Sequence, residues 1–161
     1  MSIDEFIDGL DLKLVEELKE KKLVLTTAES CTGGLISSVI VNISGASSVF
    51  KQGFVTYCDK AKEDLLGVRH ETMEKYKAVS SEVASEMATG AKEVSGADVA
   101  VSVTGVAGPS MEDGKPVGLV YIGCAYKDKV EVREFNFDGD RKTIRFKATK
   151  NALQLVLDCI K

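Results

Sequence analysis

The apolar positions of this chain alternate between helical spacing and short continuous runs. Near the start, apolar side chains that include Leu10, Leu14 and Leu18 recur at helical spacing and predict an amphipathic helix over about 4–20. The next apolar run, 23–28, is short and β-leaning, and it predicts a buried strand. A glycine pair and a second helical pattern follow, so the chain opens as helix, strand and helix.

The same alternation continues toward the C-terminus. The further strands predicted are 50–58, 98–104, 117–126 and 130–137. The further helices predicted are 60–66, a helix that runs from the N-cap Ser80 along an apolar stripe to Val94, and a last helix from Gly139-Asp140 to about 160. Helices separate the early strands and a hairpin joins the last two, which indicates an α/β fold with a mixed sheet and helices on both faces.

Composition and charge narrow the possible classes of protein. The 161 residues are 44% hydrophobic and 29% charged, without a repeat or a linker, which favours one globular domain over 1–161. The net charge of −4 argues against a generally basic nucleic-acid-binding surface but is compatible with a local anion pocket. The acidic N-terminus does not resemble a signal peptide, and no apolar run approaches the ~20 residues of a membrane span. A cytoplasmic protein that binds neither nucleic acid nor membrane is therefore expected.

The cysteines do not form a metal-binding pattern. Cys31, Cys58, Cys124 and Cys159 are widely spaced, no CxxC pair occurs, and His70 is the single histidine. This spacing argues against the common Cys/His zinc sites and against a disulfide framework, so the four thiols are expected to be reduced.

The first candidate for chemistry follows the predicted strand 23–28. Here Glu29-Ser30-Cys31-Thr32-Gly33-Gly34 connects the strand to a helix. A serine at such a helix start could attack a carbonyl while nearby backbone N–H groups stabilise the oxyanion. Ser30 or Thr32 could equally cap the helix, and these residues alone favour the cap.

A general base for such a serine has candidates in the segment 57–62, YCDKAK. The single histidine, His70, lies in a polar stretch that is typical of the surface. A lysine can act as the base if burial lowers its pKa well below ~10.4. Lys60 and Lys62 are both candidates, and the alternative is two solvated surface lysines. Tyr57 could relay a proton, face the ligand or lie in the core.

Two further stretches could bind a ligand. The loop 102–109, SVTGVAGP, contains glycines that permit close backbone approach, although a tight turn explains them as well. It is not a P-loop, because the spacing to the next Gly-Lys pair is too long and Pro116 stands where Ser or Thr is needed. Arg141 begins the last predicted helix and Arg145 follows one turn later, which suits a phosphate site or a charged first turn that faces water.

Taken together, these stretches closely resemble the CinA C-terminal domain family. The matching segments cover most of the chain in order: TTAESCTGG at 26–34, GFVTYCDKAKEDLLGV at 53–68, AVSSEVASEMATGA at 78–91, SVTGVAGP at 102–109, KPVGLVYI at 115–122 and FDGDRKTIR at 137–145. The characterised members of this family are nicotinamide mononucleotide deamidases. The resemblance implies a three-layer α/β fold and hydrolysis of nicotinamide mononucleotide to nicotinic acid mononucleotide and ammonia, in pyridine nucleotide salvage.

The resemblance also implies roles for individual residues. Ser30 corresponds to the nucleophile, Lys62 to the base and Tyr57 to the family's tyrosine, while Arg141 would hold the substrate phosphate. The residues expected to contact the substrate are Cys31, Thr32, Gly33, Thr104, Gly105, Ala107, Gly108, Arg141 and Arg145. No metal and no organic cofactor is expected, and the protein is expected to form a homo-oligomer.

The sequence departs from the family pattern at two places, and two functions other than the deamidase remain as alternatives. Cys58-Asp59 stands where Ser-Asn is common, and the loop 110–114 replaces a more Gly-rich stretch, which bears on substrate fit. One alternative function is a non-catalytic module that binds a pyridine nucleotide, which an ammonia-release assay would separate from the enzyme. The other is a cysteine amidase that uses Cys31 with His70, which thiol alkylation would inactivate.

Overall fold

A five-stranded sheet forms the middle of the molecule. The computed structural model describes all residues, 1–161. Its strands are β1 (Leu25–Glu29), β2 (Phe50–Val55), β3 (Val99–Gly105), β4 (Leu119–Tyr126) and β5 (Lys129–Asn136). Their order in the sheet is β2-β1-β3-β4-β5. β1 is parallel to both β2 and β3, whereas β4 is antiparallel to β3 and to β5, so the sheet is mixed as predicted.

Helices cover both faces of this sheet. They are α1 (Ile3–Ile7), α2 (Leu10–Lys21), α3 (Leu35–Val41), α4 (Asp59–Leu66), α5 (His70–Tyr76), α6 (Ser81–Ser95) and α7 (Arg141–Cys159), with a short 3-10 turn at Ala46–Ser48. α2, α3 and α7 pack in the larger core on one face, where α1 lies against α7. α6 covers the opposite face and is flanked by α4 and α5. The α/β three-layer fold is thereby confirmed.

The two faces of β3 show why the helices can approach the sheet so closely. Because side chains alternate along a strand, Val99, Val101 and Val103 enter the larger core, while Ala100 and Ser102 face α6. The Ser102 hydroxyl donates a hydrogen bond of 2.6 Å to the carbonyl of Ala84 in α6. Small side chains on this face thus let the helix backbone lie against the strand.

The structure corrects several of the predicted elements. The helix predicted over 4–20 is divided, because Asp8 and Gly9 both adopt left-handed backbone conformations between α1 and α2. The strand predicted over 50–58 ends at Val55, and α5 was not predicted because its sequence is mostly polar. Val94 was placed on the apolar stripe of α6 but is exposed. The N-caps Ser80 and Asp140 are confirmed by their side-chain hydrogen bonds to Val83 and Thr143.

The sheet topology selects one edge for a ligand. The carboxyl ends of the parallel strands β1, β2 and β3 meet at the same edge, and the chain leaves β1 for β2 on one side and then crosses from β2 to β3 on the other side of β1. Ligands of open α/β sheets bind at such switch points. The turns that follow Glu29, Val55 and Gly105 are therefore brought together there.

Even the longest helix, α7, is too polar to cross a membrane, and none of the others could do so.

Candidate active site

A pocket lies at this edge of the sheet and joins residues that are distant in the sequence. Its volume is about 150 Å³. The predicted residues on its wall are Ser30, Cys31, Tyr57, Lys62, Thr104, Gly105, Ala107, Gly108 and Arg141. The wall also includes residues that were not individually expected to contact a substrate: Asp59, Ala78, Val79, Val106, Ser110 and Glu112. The segments after β1, β2 and β3 thus meet the start of α7 around one pocket.

The turn after β1 presents Ser30 to this pocket. The Ser30 N–H donates to the carbonyl of Val103 at 3.0 Å, and the Ser30 carbonyl accepts from the Gly33 N–H at 3.0 Å. Gly33 has a φ of 58°, in the left-handed region that glycine adopts readily. The Cys31 N–H donates to no other residue, and Cys31 lies on the pocket wall. An N–H directly after a nucleophile is suited to stabilise an oxyanion.

Glu29 binds the other side of this turn, a role that its position in the sequence does not indicate. Its carboxylate is fully buried and accepts hydrogen bonds from the backbone N–H groups of Gly34 at 3.2 Å, Ile36 at 2.9 Å and Ser37 at 3.0 Å, and from the Ser37 hydroxyl at 2.7 Å. The start of α3 is therefore capped by Glu29, not by Ser30 or Thr32. N–H groups near this helix start were expected to stabilise an oxyanion, but those of Gly34, Ile36 and Ser37 are occupied by this carboxylate.

Replacing Glu29 with glutamine should lower the free energy of unfolding by about 1–3 kcal/mol. All four groups around the carboxylate donate to it, whereas the glutamine amide nitrogen cannot accept, so buried donors lose their partner. Urea unfolding would measure the change. Glu16→Gln, on the exposed face of α2, is the matched control and should leave the midpoint unchanged. Equal midpoints for the two variants would show that the cap contributes nothing.

Lys62 is the buried cation of the site. Its side chain projects from α4, is 1% exposed, and donates a hydrogen bond of 3.0 Å from Nζ to the backbone carbonyl of Thr56. Burial lowers the pKa of Lys62 from 10.5, while the nearby charges of Asp59 and Glu112 oppose this shift. A neutral amine can donate to Thr56 and still offer its lone pair to a proton. Lys62 can therefore act as a general base.

The other candidate bases lie away from the pocket. Lys60 is in an exposed ion pair of 2.8 Å with Asp64, and this carboxylate raises its pKa. His70 lies on the surface between Glu63 and Glu74, at 3.0 and 3.1 Å. Because neither side chain reaches the pocket wall, a pairing of Cys31 with His70 is wrong. Burial also raises the pKa of the Cys31 thiol to about 12, which keeps it protonated.

Tyr57 and Arg141 form the rim of the pocket. Tyr57 is 61% exposed and does not lie in the core. Its hydroxyl accepts a hydrogen bond of 2.8 Å from Nη2 of Arg141, and Nη1 of the same guanidinium donates to the carbonyl of Gly108. The first residue of α7 thus connects the loops that follow β2 and β3. The guanidinium is near the surface, where an incoming anion can reach it.

The loop after β3 supplies backbone groups to the opposite wall. The Thr104 hydroxyl donates to the carbonyl of Ala78 at 2.8 Å, so its hydrogen is already used within the fold. A side chain at Gly105 would come within 2.6 Å of Val120, which explains the need for glycine there. The N–H groups of Ala107 and Gly108 have no acceptor within the protein. They can bind an oxygen of a ligand.

Three residues that were expected to contact the substrate do not line the pocket. Thr32 is fully buried, and its hydroxyl has no hydrogen-bond partner. Gly33 lies against Arg145. Arg145 donates from Nε to the carbonyl of Cys31 at 2.9 Å and from Nη2 to the carbonyl of Thr32 at 2.8 Å. Arg145 therefore contacts the Ser30 turn from behind, which the spacing within α7 could not indicate.

Comparison of the sequence with known proteins identifies its relatives. The family model described as the CinA C-terminal domain matches residues 7–160. A competence-damage inducible protein of Caldicellulosiruptor saccharolyticus is 49% identical over 160 residues, which are 96% of this chain and 39% of the relative. A CinA-like protein of Kosmotoga olearia is 44% identical over 160 residues, with the same two shares of 96% and 39%. The chain thus spans about two fifths of the length of these relatives.

Solved structures of two relatives have the same fold. The competence/damage inducible protein CihA of Agrobacterium tumefaciens superposes with a TM-score of 0.93 at 39% identity, over 97% of this chain and 96% of that chain. A CinA superfamily protein of Escherichia coli superposes with a TM-score of 0.92 at 38% identity, over 99% of this chain and 93% of that chain. The chain belongs to the CinA C-terminal domain family.

Proposed function

We propose that this chain hydrolyses the carboxamide of nicotinamide mononucleotide to give nicotinic acid mononucleotide and ammonia. The observation that carries the proposal is the presence of Ser30 and the buried Lys62 on the wall of one pocket. A serine needs a base to become a nucleophile, and a lysine needs burial to become a base. The chain, taken as a single domain over 1–161, offers both.

The first half of the reaction forms an acyl-enzyme. Neutral Lys62 accepts the hydroxyl proton of Ser30 while the serine oxygen attacks the carboxamide carbon. The Cys31 N–H donates to the oxyanion of the tetrahedral intermediate. The C–N bond then breaks, the Lys62 ammonium returns the proton to the leaving nitrogen, and ammonia departs. The nicotinoyl group remains bound to Ser30 as an ester.

The second half of the reaction releases the acid. Water attacks the ester carbon while Lys62 accepts a proton from it, and the tetrahedral intermediate again faces the Cys31 N–H. The bond to Ser30 breaks and the serine oxygen recovers its proton from Lys62. The balance is one water consumed and one ammonia formed, so the proposed reaction requires neither a metal nor an organic cofactor.

An ammonia-release assay on nicotinamide mononucleotide with the purified chain tests the proposal directly. Ammonia and nicotinic acid mononucleotide should appear in equal amounts. Equilibrium binding of the same nucleotide without ammonia release would support the alternative, a non-catalytic module that holds a pyridine nucleotide. The absence of both binding and turnover would remove this nucleotide as the ligand.

Arg141→Ala should weaken the handling of nicotinamide mononucleotide by about 10–150-fold in kcat/KM. The guanidinium lies at the pocket rim, and a charge-assisted hydrogen bond to the 5′-phosphate contributes roughly 1.5–3 kcal/mol. The unphosphorylated riboside is the matched control, because it lacks the group that Arg141 would bind. An equal loss with both substrates would instead show that the contacts of Arg141 with Tyr57 and Gly108 maintain the pocket.

A further inference from the structure

Arg145 has an unusual set of partners for a residue near an anion pocket. It lies one helical turn after Arg141 in α7, but its Nε and Nη2 donate to two consecutive backbone carbonyls, those of Cys31 and Thr32, at 2.9 and 2.8 Å. The guanidinium lies directly against this turn, since a side-chain carbon built at Gly33 would be 3.5 Å from Nη2, an ordinary contact distance. The side chain is half-buried and does not reach the pocket wall.

The geometry of the peptide bond carries the effect of these contacts to the pocket. In a planar trans peptide the C=O and the following N–H point in opposite directions. Arg145 fixes the carbonyl of Thr32 and therefore the direction of the Gly33 N–H, which donates to the carbonyl of Ser30 at 3.0 Å. That bond in turn fixes the peptide between Ser30 and Cys31, and so the direction in which the Cys31 N–H points.

We infer that Arg145 is a positioning residue that holds the Ser30 turn so that the Cys31 N–H points to the oxyanion. This inference rests on the proposed function. A phosphate ligand is the alternative that the sequence suggested for Arg145, but two of its N–H groups are committed to carbonyls behind the turn. Arg141, by contrast, lies on the pocket wall. The two arginines of one helix face thus have different tasks, one toward the substrate and one toward the backbone.

The test separates catalysis from binding by means of the inactive host Ser30→Ala. In the otherwise native chain, Arg145→Met should lower kcat by up to about 100-fold, because a misdirected oxyanion donor loses much of its effect, and KM should change little. In the Ser30→Ala host, Arg145→Met should leave the Kd for nicotinamide mononucleotide within about 3-fold, whereas Arg141→Met should raise it at least about 10-fold. Arg145→Lys retains one donor and should have an intermediate kcat.

Two outcomes would overturn the inference. One is a loss of nucleotide affinity in the Ser30→Ala/Arg145→Met double variant that equals the loss caused by Arg141→Met, which would make Arg145 a phosphate ligand. The other is a native kcat for Arg145→Met. Lys142→Met removes an exposed positive charge from the same helix turn and should change neither quantity, so it controls for charge alone.

A measurement without substrate keeps this inference separate from the proposed function. Amide hydrogen exchange of the free protein should be faster at Gly33 in Arg145→Met than in the native chain, because its bond to the Ser30 carbonyl is no longer held. Exchange at Val103, within β3, should be unchanged. If the native chain released no ammonia but Gly33 exchanged faster in the variant, the proposed reaction would fail while the structural role of Arg145 held. Unchanged exchange at Gly33 would overturn that role.

Discussion

Replacing Ser30 with alanine is expected to reduce ammonia release from nicotinamide mononucleotide by at least ~10³-fold, because a covalent nucleophile has no substitute within its own site. The substitution removes one oxygen from a nearly buried side chain whose backbone bonds to Val103 and Gly33 do not involve the hydroxyl. The fold should therefore persist, and far-UV circular dichroism with a urea midpoint would verify it. Nucleotide binding should also survive.

The neighbouring Cys31 supplies the control. Cys31→Ala should retain most of the activity, since burial raises the thiol pKa to about 12 and the backbone N–H, not the sulfur, is the proposed contact with the reaction. If Cys31→Ala were inactive and Ser30→Ala active, the serine mechanism would be wrong. A small-residue replacement at either position leaves the pocket open, so the two results can be compared without a difference in steric bulk.

Lys62→Met is expected to cause the second large loss, about 10²–10⁴-fold in kcat, which is the usual contribution of a positioned acid or base. Methionine is similar in length and lacks the proton-accepting nitrogen. Lys60→Met is the matched control on the same helix and should be mild, because Lys60 is exposed and paired with Asp64. Near-native turnover of Lys62→Met would exclude the proposed dyad.

The pH dependence of activity should differ between the native chain and Lys62→Met. The neutral amine is the active form, so native activity should rise as pH increases through the lowered pKa of Lys62, below 10.5. At pH values between the lowered pKa of the folded state and the ordinary 10.5 of the unfolded chain, Lys62 is protonated only in the unfolded chain. The free energy of unfolding therefore rises with pH in this range. Below the folded pKa both states are protonated and the full cost of the buried charge remains. The activity of Lys62→Met should therefore no longer rise with pH in this way, and its free energy of unfolding at neutral pH should not be lower than that of the native chain.

The general form of the site could be predicted from the sequence because it depends on local patterns. A strand followed by a polar turn and a helix recurs at Ser30 and at Tyr57, and parallel strand ends meet at one sheet edge whatever the detailed packing. The division between α1 and α2 could not be predicted in the same way, since the helical spacing of apolar residues continues across the left-handed pair Asp8-Gly9.

The supporting contacts could not be predicted because they join distant parts of the chain. Glu29 appeared as one residue of a turn, and its four hydrogen bonds depend on how α3 returns over β1. Arg145 and Arg141 share one face of α7, so spacing alone gave both the same role. Only the position of the helix relative to the Ser30 turn distinguishes the arginine that lies behind that turn from the one at the rim.

The contact of α7 with the Ser30 turn also bears on the order in which the protein acquires activity during folding. The bonds from Arg145 close chain separations of 114 and 113 residues, and those from Arg141 close separations of 33 and 84 residues. Contacts between residues so far apart in the sequence form only after the chain has lost the conformational entropy of closing long loops. Ser30, the proposed nucleophile, lies near the start of the chain, but the contacts that support its turn form only when the last helix docks.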